Sequence, residues 1–146
     1  MSIIEEQSKI VKHKLIWEII KYRRTNKGNR WLSHFWPNQN ECKKFFTPTF
    51  AYLNYIGPSD QAGGHYHKNK KEYFCPLGDF KLLIGDVKNK KTEVIKMSLG
   101  TKKYYSFYYI PPMVPHAVKN CTDKFQALVV LTNKKDIYGK TYDFKF

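Results

Sequence analysis

The sequence contains little cysteine and no long apolar segment. Its three cysteines, Cys42, Cys75 and Cys121, are odd in number and far apart, so they predict neither a disulfide framework nor a cysteine-ligated zinc site. No apolar run approaches the roughly 18 residues that a membrane-spanning helix needs. The first residues include Glu5 and Glu6 instead of the basic and apolar regions of a secretory signal. We therefore expect a reduced, cytoplasmic protein without a membrane partner.

Acidic residues and arginines are also scarce. Twelve acidic residues stand against 26 lysines and arginines, which gives a net charge of +14, and the arginines are Arg23, Arg24 and Arg30. The lysines occur in short groups between apolar runs, where charged side chains are usually solvated. A small anionic substrate would gain from this charge. A nucleic-acid partner is not expected, because no recognition motif accompanies the basic residues.

Aromatic residues are plentiful and favour strands. The chain has 146 residues, of which 42% are hydrophobic and 16% aromatic, enough for one domain with its own core. Short apolar segments separated by turn residues predict an all-β protein with a closed or double-sheet architecture. The predicted strands cover residues 15–22, 31–36, 45–56, 72–77, 80–84, 92–97, 104–110, 117–118 and 125–132.

The N-terminal part differs from the rest of the chain. Residues 1–44 are predicted to form an arm and a hairpin that pack on a barrel of residues 45–146, within a single domain overall. In this part, residues 1–12 predict a short helix or an extended arm, and residues 26–29 and 37–41 predict a turn and a loop. The hairpin either covers the barrel of its own chain or packs on a partner subunit.

Three histidines and one glutamate are the candidates for chemistry. His65 and His67 are two residues apart, and in a strand such residues point to the same face. Glu72 follows a short polar turn and can return on the next strand, while His116 follows the proline-rich residues 111–115. Imidazole nitrogens and a carboxylate oxygen suit Zn, Ni, Fe or Mn. These four residues are the predicted ligands of a divalent metal ion, the alternative being a metal-free pocket that contains the same residues.

The two halves of this pattern resemble the two motifs of the cupin superfamily. Residues 65–78 read H-x-H-x4-E-x5-G and keep the family spacing. Residues 112–120 read P-x2-P-H-x3-N and depart from it, because Val114-Pro115 stands where Pro-x-Gly and two further residues are typical. The resemblance implies a double-stranded β-helix, or jelly-roll barrel, preceded by an N-terminal hairpin or arm.

Within the superfamily, residues 50–56, 64–68 and 128–144 resemble the cupins that act on nucleotide sugars. These are the dTDP-sugar 3,4-ketoisomerases, the dTDP-4-dehydrorhamnose 3,5-epimerases and the cupin domains of capsular-polysaccharide enzymes. In the ketoisomerases the position of Glu72 is often glutamine and the site works without metal. The glutamate here favours a metal-binding member.

The resemblance implies an isomerase or epimerase of a keto sugar, nucleotide-linked, in polysaccharide or deoxysugar biosynthesis. Such an enzyme removes a proton beside a carbonyl, which requires a base and an acid or metal to hold the enediolate. A homodimer is expected by the same analogy. The expected catalytic residues are His65 as the base, Glu72 and Tyr138, and the expected substrate-binding residues are Lys68, Tyr108 and Asn120.

Several alternatives stay open at this point. His65 has two competing roles, because a histidine bound to a metal through one nitrogen is a poor base. The protein is otherwise a different metal-dependent cupin enzyme, such as a sugar-phosphate isomerase or a dioxygenase, or a non-catalytic cupin that binds a small ligand. Lys70 shares with Lys68 the capacity to contact a diphosphate as a point charge. His13 and His34 fall outside the pattern and are expected to be surface or packing residues.

Overall fold

Within the part of the chain that the structure describes, the protein folds into strands and one short helix. The computed structural model describes residues 7–25, 31–134 and 141–146. The predicted turn at residues 26–29 and the residues before Gln7 lie outside the described residues. The elements are β1 (Ser8–Lys12), β2 (Trp17–Tyr22), β3 (Arg24–Thr25), β4 (Trp31–Leu32), α1 (Gln39–Lys44), β5 (Phe50–Ile56), β6 (Gln61–His67), β7 (Glu72–Pro76), β8 (Phe80–Gly85), β9 (Thr92–Met97), β10 (Tyr104–Ile110), β11 (His116–Lys119), β12 (Gln126–Thr132) and β13 (Thr141–Asp143).

Two antiparallel sheets enclose the main core. The larger sheet has the strand order β1-β2-β10-β7-β12-β5, the smaller has the order β13-β6-β11-β8-β9, and β3 and β4 pair separately. Apolar side chains from both sheets meet between them, among them Phe74, Leu128 and Val130 from the larger and Leu82 and Ile84 from the smaller. The predicted all-β jelly-roll architecture is therefore confirmed.

The aromatic strand β10 contributes to two cores. Tyr108 and Ile110 point between the sheets, whereas Phe107 and Tyr109 belong to a second cluster on the outer face of the larger sheet. Phe45 covers this outer face, and its ring stacks on that of Tyr109 with the centroids 4.6 Å apart. The period-2 alternation of the strand explains why both of its faces are apolar.

The N-terminal part differs most from the sequence predictions. Of the short helix or arm predicted for residues 1–12, residues 8–12 form an extended strand, and residues 33–36 are irregular instead of extended. Residues 39–44 form a helix where a loop was predicted. The backbone N–H of Glu41 donates to the side chain of Asn38 at 2.9 Å, and the Glu41 carboxylate accepts from the Asn38 N–H at 3.2 Å. This capping box is visible in the sequence as N-x-x-E, a pattern that starts helices.

The N-terminal strands belong to the larger sheet. Strand β2 pairs with β10 along its whole length, and β1 adds an edge strand next to β2. The division into an arm of residues 1–44 and a barrel of residues 45–146, and any exchange of the hairpin between subunits, stay predictions. Among the described residues, no helix is long and apolar enough to cross a membrane.

Candidate active site

The histidines and the glutamate singled out in the sequence lie together between the two sheets. His65 and His67 lie on β6, and His116 pairs with His65 from the adjacent strand β11. One nitrogen of each of these three imidazoles lies within 4.8 Å of the others. Glu72, the first residue of β7, reaches the same point from the opposite sheet. Strands distant in sequence thus bring the four residues together.

Two glycines set the position of His65. The pairing of β6 with β11 is irregular, because His116 faces His65 while the next residue, Ala117, faces Gly63. Gly63 and Gly64 both have a φ of +89°, which glycine adopts without strain. A Cβ atom at Gly63 would lie only 2.8 Å from the carbonyl oxygen of His116. The bulge therefore needs glycine in order to keep the two histidines adjacent.

A cavity of about 120 Å³ adjoins the cluster. Its inner wall is apolar and includes Phe74, Val118 and Leu128, whereas Tyr52 and Asn54 contribute polar groups. His65 is half-buried, while His67, Glu72 and His116 are buried. The volume is below that of typical drug-sized pockets of about 300–1,000 Å³, so it suits part of a sugar ring and not a whole nucleotide.

Glu72 is an ionised carboxylate surrounded by possible cations. Its Oε1 lies 3.4 Å from His67 Nε2 and 3.3 Å from His116 Nε2. Its Oε2 lies 3.7 Å from the Lys70 ammonium and accepts from the Tyr52 hydroxyl at 3.4 Å. Burial alone would raise the pKa of Glu72. The hydrogen bond and charge of His116, with the charges of Lys70 and His67, outweigh burial and lower this pKa from 4.5 to about 2.

His67 stays neutral at neutral pH. Burial lowers its pKa from 6.5 to about 4, and the charges of His116, His65 and Lys70 act in the same direction against the opposing effect of Glu72. Its Nδ1 lies 3.4 Å from the Thr141 hydroxyl. His67 is therefore available as a neutral ligand or hydrogen-bonding group.

The contacts of the two ring nitrogens of His116 require a proton or a cation between His116 and Glu72. Its Nδ1 lies 2.9 Å from the carbonyl oxygen of Val114, which only accepts, so Nδ1 carries the hydrogen. A neutral His116 would then direct the lone pair of Nε2 at the ionised Glu72 carboxylate 3.3 Å away. Two acceptors in contact repel each other. Either a proton on Nε2 or a cation shared by the two residues must lie between them.

The three histidines form a group that could hold a divalent metal ion, and Glu72 contacts two of them. In a tetrahedral site with ligand bonds of about 2.1 Å, neighbouring donor atoms are about 3.4 Å apart. The distances from Glu72 Oε1 to the Nε2 atoms of His67 and His116 are 3.4 and 3.3 Å, longer than typical charged hydrogen bonds. His65 supplies a third imidazole within 4.8 Å of the other two. The metal itself stays a prediction.

Lys70 enters the cavity, and Lys68 does not. Lys68 is exposed on the turn after β6 and is not among the described residues that line the cavity. Lys70 is buried, and its ammonium lies 5.4 Å from the centre of the Tyr52 ring. Lys70 is two residues before Glu72, and this spacing alone would place both side chains on one face. The substrate-binding role assigned to Lys68 stays a prediction.

The other predicted substrate contacts lie away from the cavity wall. Tyr108 is buried in the barrel core and is not among the described lining residues. The Asn120 amide nitrogen donates to the carbonyls of Ile56, Gly57 and Lys124, at 2.8, 3.0 and 2.7 Å. Asn120 thereby fixes the turn after β11. Tyr138, the predicted catalytic tyrosine, lies outside the described residues.

Residues outside the pattern have structural surroundings. His13 lies 3.0 Å from Glu18, and His34 is exposed. The Tyr73 hydroxyl donates to the Phe46 carbonyl at 2.7 Å. Cys75 is fully buried, and burial raises the pKa of its thiol, as expected for an inert packing residue.

A curated relative matches part of the chain. No protein-family model matches the sequence. Over 94 residues, or 64% of the chain, the sequence is 30% identical to the H2HPP isomerase of Bacillus subtilis. The match covers 35% of that protein, so this chain spans about a third of its relative's length.

Solved structures share the fold over most of the chain. The dTDP-4-dehydrorhamnose 3,5-epimerase of Sulfolobus tokodaii matches with a TM-score of 0.74 and 10% identity, over 90% of this chain and 77% of that one. The sugar 3,4-ketoisomerase QdtA of Thermoanaerobacterium thermosaccharolyticum, in complex with TDP, matches with a TM-score of 0.65 and 17% identity, over 84% and 82%. The capsular polysaccharide assembling protein CapF of Staphylococcus aureus matches with 0.58 and 14%, over 96% and 33%. The chain has the cupin fold of these proteins, which confirms the resemblance drawn from its motifs.

Proposed function

We propose that the protein is a metal-binding isomerase or epimerase that moves a proton beside the carbonyl of a keto sugar, with a nucleotide-linked sugar as its substrate. The observation that carries the proposal is the half-buried His65 at a cavity whose inner end holds the ionised Glu72 together with His67, His116 and Lys70. Proteins that share the fold include a sugar epimerase and a sugar ketoisomerase.

If no metal occupies the site, His65 is the candidate base, because it is accessible from the cavity and its imidazole can take up a proton. It lines the cavity and is the most exposed of the three clustered histidines, so a bound sugar reaches it first. Its ring centre lies 4.6 Å from that of His67 and 5.1 Å from that of His116. An imidazole near neutral pH is well suited to take a proton from carbon and return it.

Lys70 and His116 are the candidate groups for the developing negative charge. Removing a proton beside a carbonyl makes an enediolate, which fixed positive groups stabilise in a dry cavity. The Lys70 ammonium is buried, and Glu72 holds it from one side at 3.7 Å. Glu72 also contacts His116, with its Oε1 3.3 Å from His116 Nε2. Tyr138 remains the candidate acid.

A divalent metal ion would be held by His65, His67, Glu72 and His116. When bound, it would act as a Lewis acid on the carbonyl oxygen of the substrate. In that case His65 is occupied as a ligand, and another group must transfer the proton. Metal analysis of the purified protein, with exchange assays before and after chelation, separates this role from that of a free base.

The nucleotide is expected outside the cavity. A volume of about 120 Å³ accepts the reacting sugar only in part. The diphosphate would then lie near the mouth, where the net charge of +14 and the exposed Lys68 favour an anion.

The test is proton exchange with solvent. The protein is incubated in heavy water with a panel of 4-keto nucleotide sugars, and deuterium incorporation is measured by NMR. We expect incorporation into at least one sugar, and a rate about 10²–10⁴-fold lower for His65→Ala. His34→Ala, at an exposed histidine outside the site, is the matched control and should exchange at the wild-type rate.

A second candidate follows from the curated relative. The match to H2HPP isomerase favours a substrate without a nucleotide, so H2HPP joins the panel. If H2HPP reacts while dTDP and UDP sugars neither exchange nor raise the melting temperature, the nucleotide-sugar proposal is wrong and the isomerase chemistry is kept.

A further inference from the structure

The outer face of the smaller sheet carries a row of lysines. Lys119 on β11 stands directly opposite Lys81 on β8, and Lys81 stands directly opposite Lys96 on β9. All three are exposed, whereas their chain neighbours Leu82 and Val118 are buried between the sheets. Adjacent strands are about 4.8 Å apart, so the three Cα atoms span only about 10 Å.

This arrangement does not stabilise the fold. Like charges directly opposite each other on a sheet are destabilising. Within residues 7–25, 31–134 and 141–146, none of the three ammonium groups has a carboxylate partner at ion-pair distance. The next residue along the row is the uncharged Gln61, which faces Lys119. The row therefore presents concentrated positive charge to a partner outside the chain.

An apolar row lies beside the lysines on the same face. Val94 lies two residues before Lys96 on β9, and Leu83 lies two residues after Lys81 on β8. Val94 and Leu83 stand opposite each other, and Val94 is 56% exposed. Lysines are point charges that do not require the matched geometry of an arginine fork. Leu83 is half-buried and lines a groove with Lys119, Phe144 and Phe146, so Val94 is the exposed aliphatic side chain of this row. A face with three lysines next to an exposed valine fits a surface that offers diffuse negative charge above an apolar layer. An anionic lipid bilayer has these properties.

We propose that the outer face of the smaller sheet binds the surface of an anionic membrane through Lys81, Lys96 and Lys119, with Val94 entering the headgroup region. This peripheral contact is independent of the proposed catalytic function, because the active-site residues lie on the inner face. The sequence analysis predicts no membrane partner, and this proposal departs from that prediction. The sequence does not show the lysines as a row, because they come from three separate strands.

The test is co-sedimentation with lipid vesicles. We expect the protein to bind phosphatidylcholine vesicles that contain phosphatidylserine, to ignore vesicles of phosphatidylcholine alone, and to be released by salt. The variant Lys81→Gln/Lys96→Gln/Lys119→Gln should bind about 100-fold more weakly, since each lysine near such a surface contributes about fivefold. Circular dichroism checks its fold, and Lys96→Gln alone gives the smaller step if the triple variant does not fold.

The matched control removes the same charge elsewhere. Lys9, Lys14 and Lys43 are exposed and lie on or near β1 and α1, so their triple glutamine variant should keep wild-type binding. Val94→Thr keeps the side-chain shape and the net charge and should weaken vesicle binding by a smaller factor. Equal losses in both triple variants, absence of vesicle binding at low salt, or binding of a single-stranded oligonucleotide through the lysine row without vesicle binding would each overturn the proposal.

Discussion

The protein buries two carboxylates in its described residues, and the two differ in their position and in the length of their contacts. Glu41 is 1% exposed and Glu72 is 3% exposed. Glu41 lies in α1 above the outer core, and Glu72 lies between the sheets beside the cavity. Each faces at least one buried lysine, Lys21 for Glu41 and Lys70 for Glu72.

The contacts of Glu41 are those of a structural ion pair. The Lys21 ammonium donates to its Oε2 at 2.9 Å, and the backbone N–H of Asn38 donates to its Oε1 at 3.2 Å. Ser8 adds a hydroxyl at 3.4 Å. Glu41 does not line the cavity that Glu72 lines. The pair holds the helix onto the sheet.

The contacts of Glu72 are longer and leave space for a ligand. Its ion-pair distances to His67, His116 and Lys70 lie between 3.3 and 3.7 Å. These three partners and Glu72 itself all line the cavity. A buried charge alone therefore does not mark a candidate site, whereas a buried charge with long contacts at an open volume does.

Breaking the structural pair should give the largest effect on stability. Lys21→Met leaves the Glu41 carboxylate buried without its ammonium partner, which typically costs about 3–5 kcal/mol. Urea unfolding measures the loss, and proton exchange per folded molecule should not change. The double variant Lys21→Met/Glu41→Gln should recover part of the loss. A destabilisation of Lys21→Met below about 1 kcal/mol would show that the pair is solvated, contrary to the structure.

Replacing each glutamate by glutamine should affect different quantities. At one glutamate the proton-exchange rate should fall, and at the other the free energy of unfolding should fall. Glu72→Gln keeps the shape but removes the charge that orients His116 and Lys70, so we expect proton exchange to fall about 100-fold. Its free energy of unfolding should change less than that of Lys21→Met, because water in the cavity can solvate the remaining cations. Glu41→Gln is the matched control and should reduce stability while leaving the exchange rate unchanged. The reverse pattern would contradict the assignment of the two sites.

Acidification should give the most gradual effect, spread over several pH units. In metal-free protein the pKa of His67 is lowered to about 4, so its contribution to stability is complete above pH 6.5 and is lost between pH 6.5 and 4. The pKa of Glu72 is lowered to about 2, so its contribution is complete above pH 4.5 and is lost toward pH 2. The free energy of unfolding should fall by at most about 1.4 kcal/mol per pH unit for each proton.

The variant His67→Gln tests whether His67 causes the upper part of this pH dependence. It should flatten the upper part of the stability curve, between pH 6.5 and 4, and leave the lower part unchanged. His34→Gln, at an exposed position, should follow the wild-type curve. If chelated wild-type protein is equally stable across this range, the neutral, desolvated state assigned to His67 is wrong.

The sequence predicted most of the strands but not the helix α1 that lies beside them. Alternation and turn residues located the strands from β7 to β12, because period-2 patterns report which face is buried. The same reasoning missed α1, although the N-x-x-E capping pattern at Asn38 and Glu41 was available. Six residues are too few for a helical period to be visible, so only the cap could have revealed it.

The candidate site was predictable where neighbours in the sequence are neighbours in space. The H-x-H spacing of His65 and His67 and the short turn to Glu72 follow from strand geometry. The approach of His116 to His65 depends on the bulge at Gly63 and Gly64, which only the pairing of β6 with β11 defines.

By itself, the sequence determined the all-β fold, the two motifs that resemble those of the cupin superfamily and the residue types available for proton transfer or metal binding. Only the tertiary structure decided that Lys70 and not Lys68 enters the cavity, that Asn120 is committed to a turn, and that lysines from three strands form one row. The reason is physical: local patterns fix the face on which a side chain stands. Register and the packing of distant strands fix which side chains it meets.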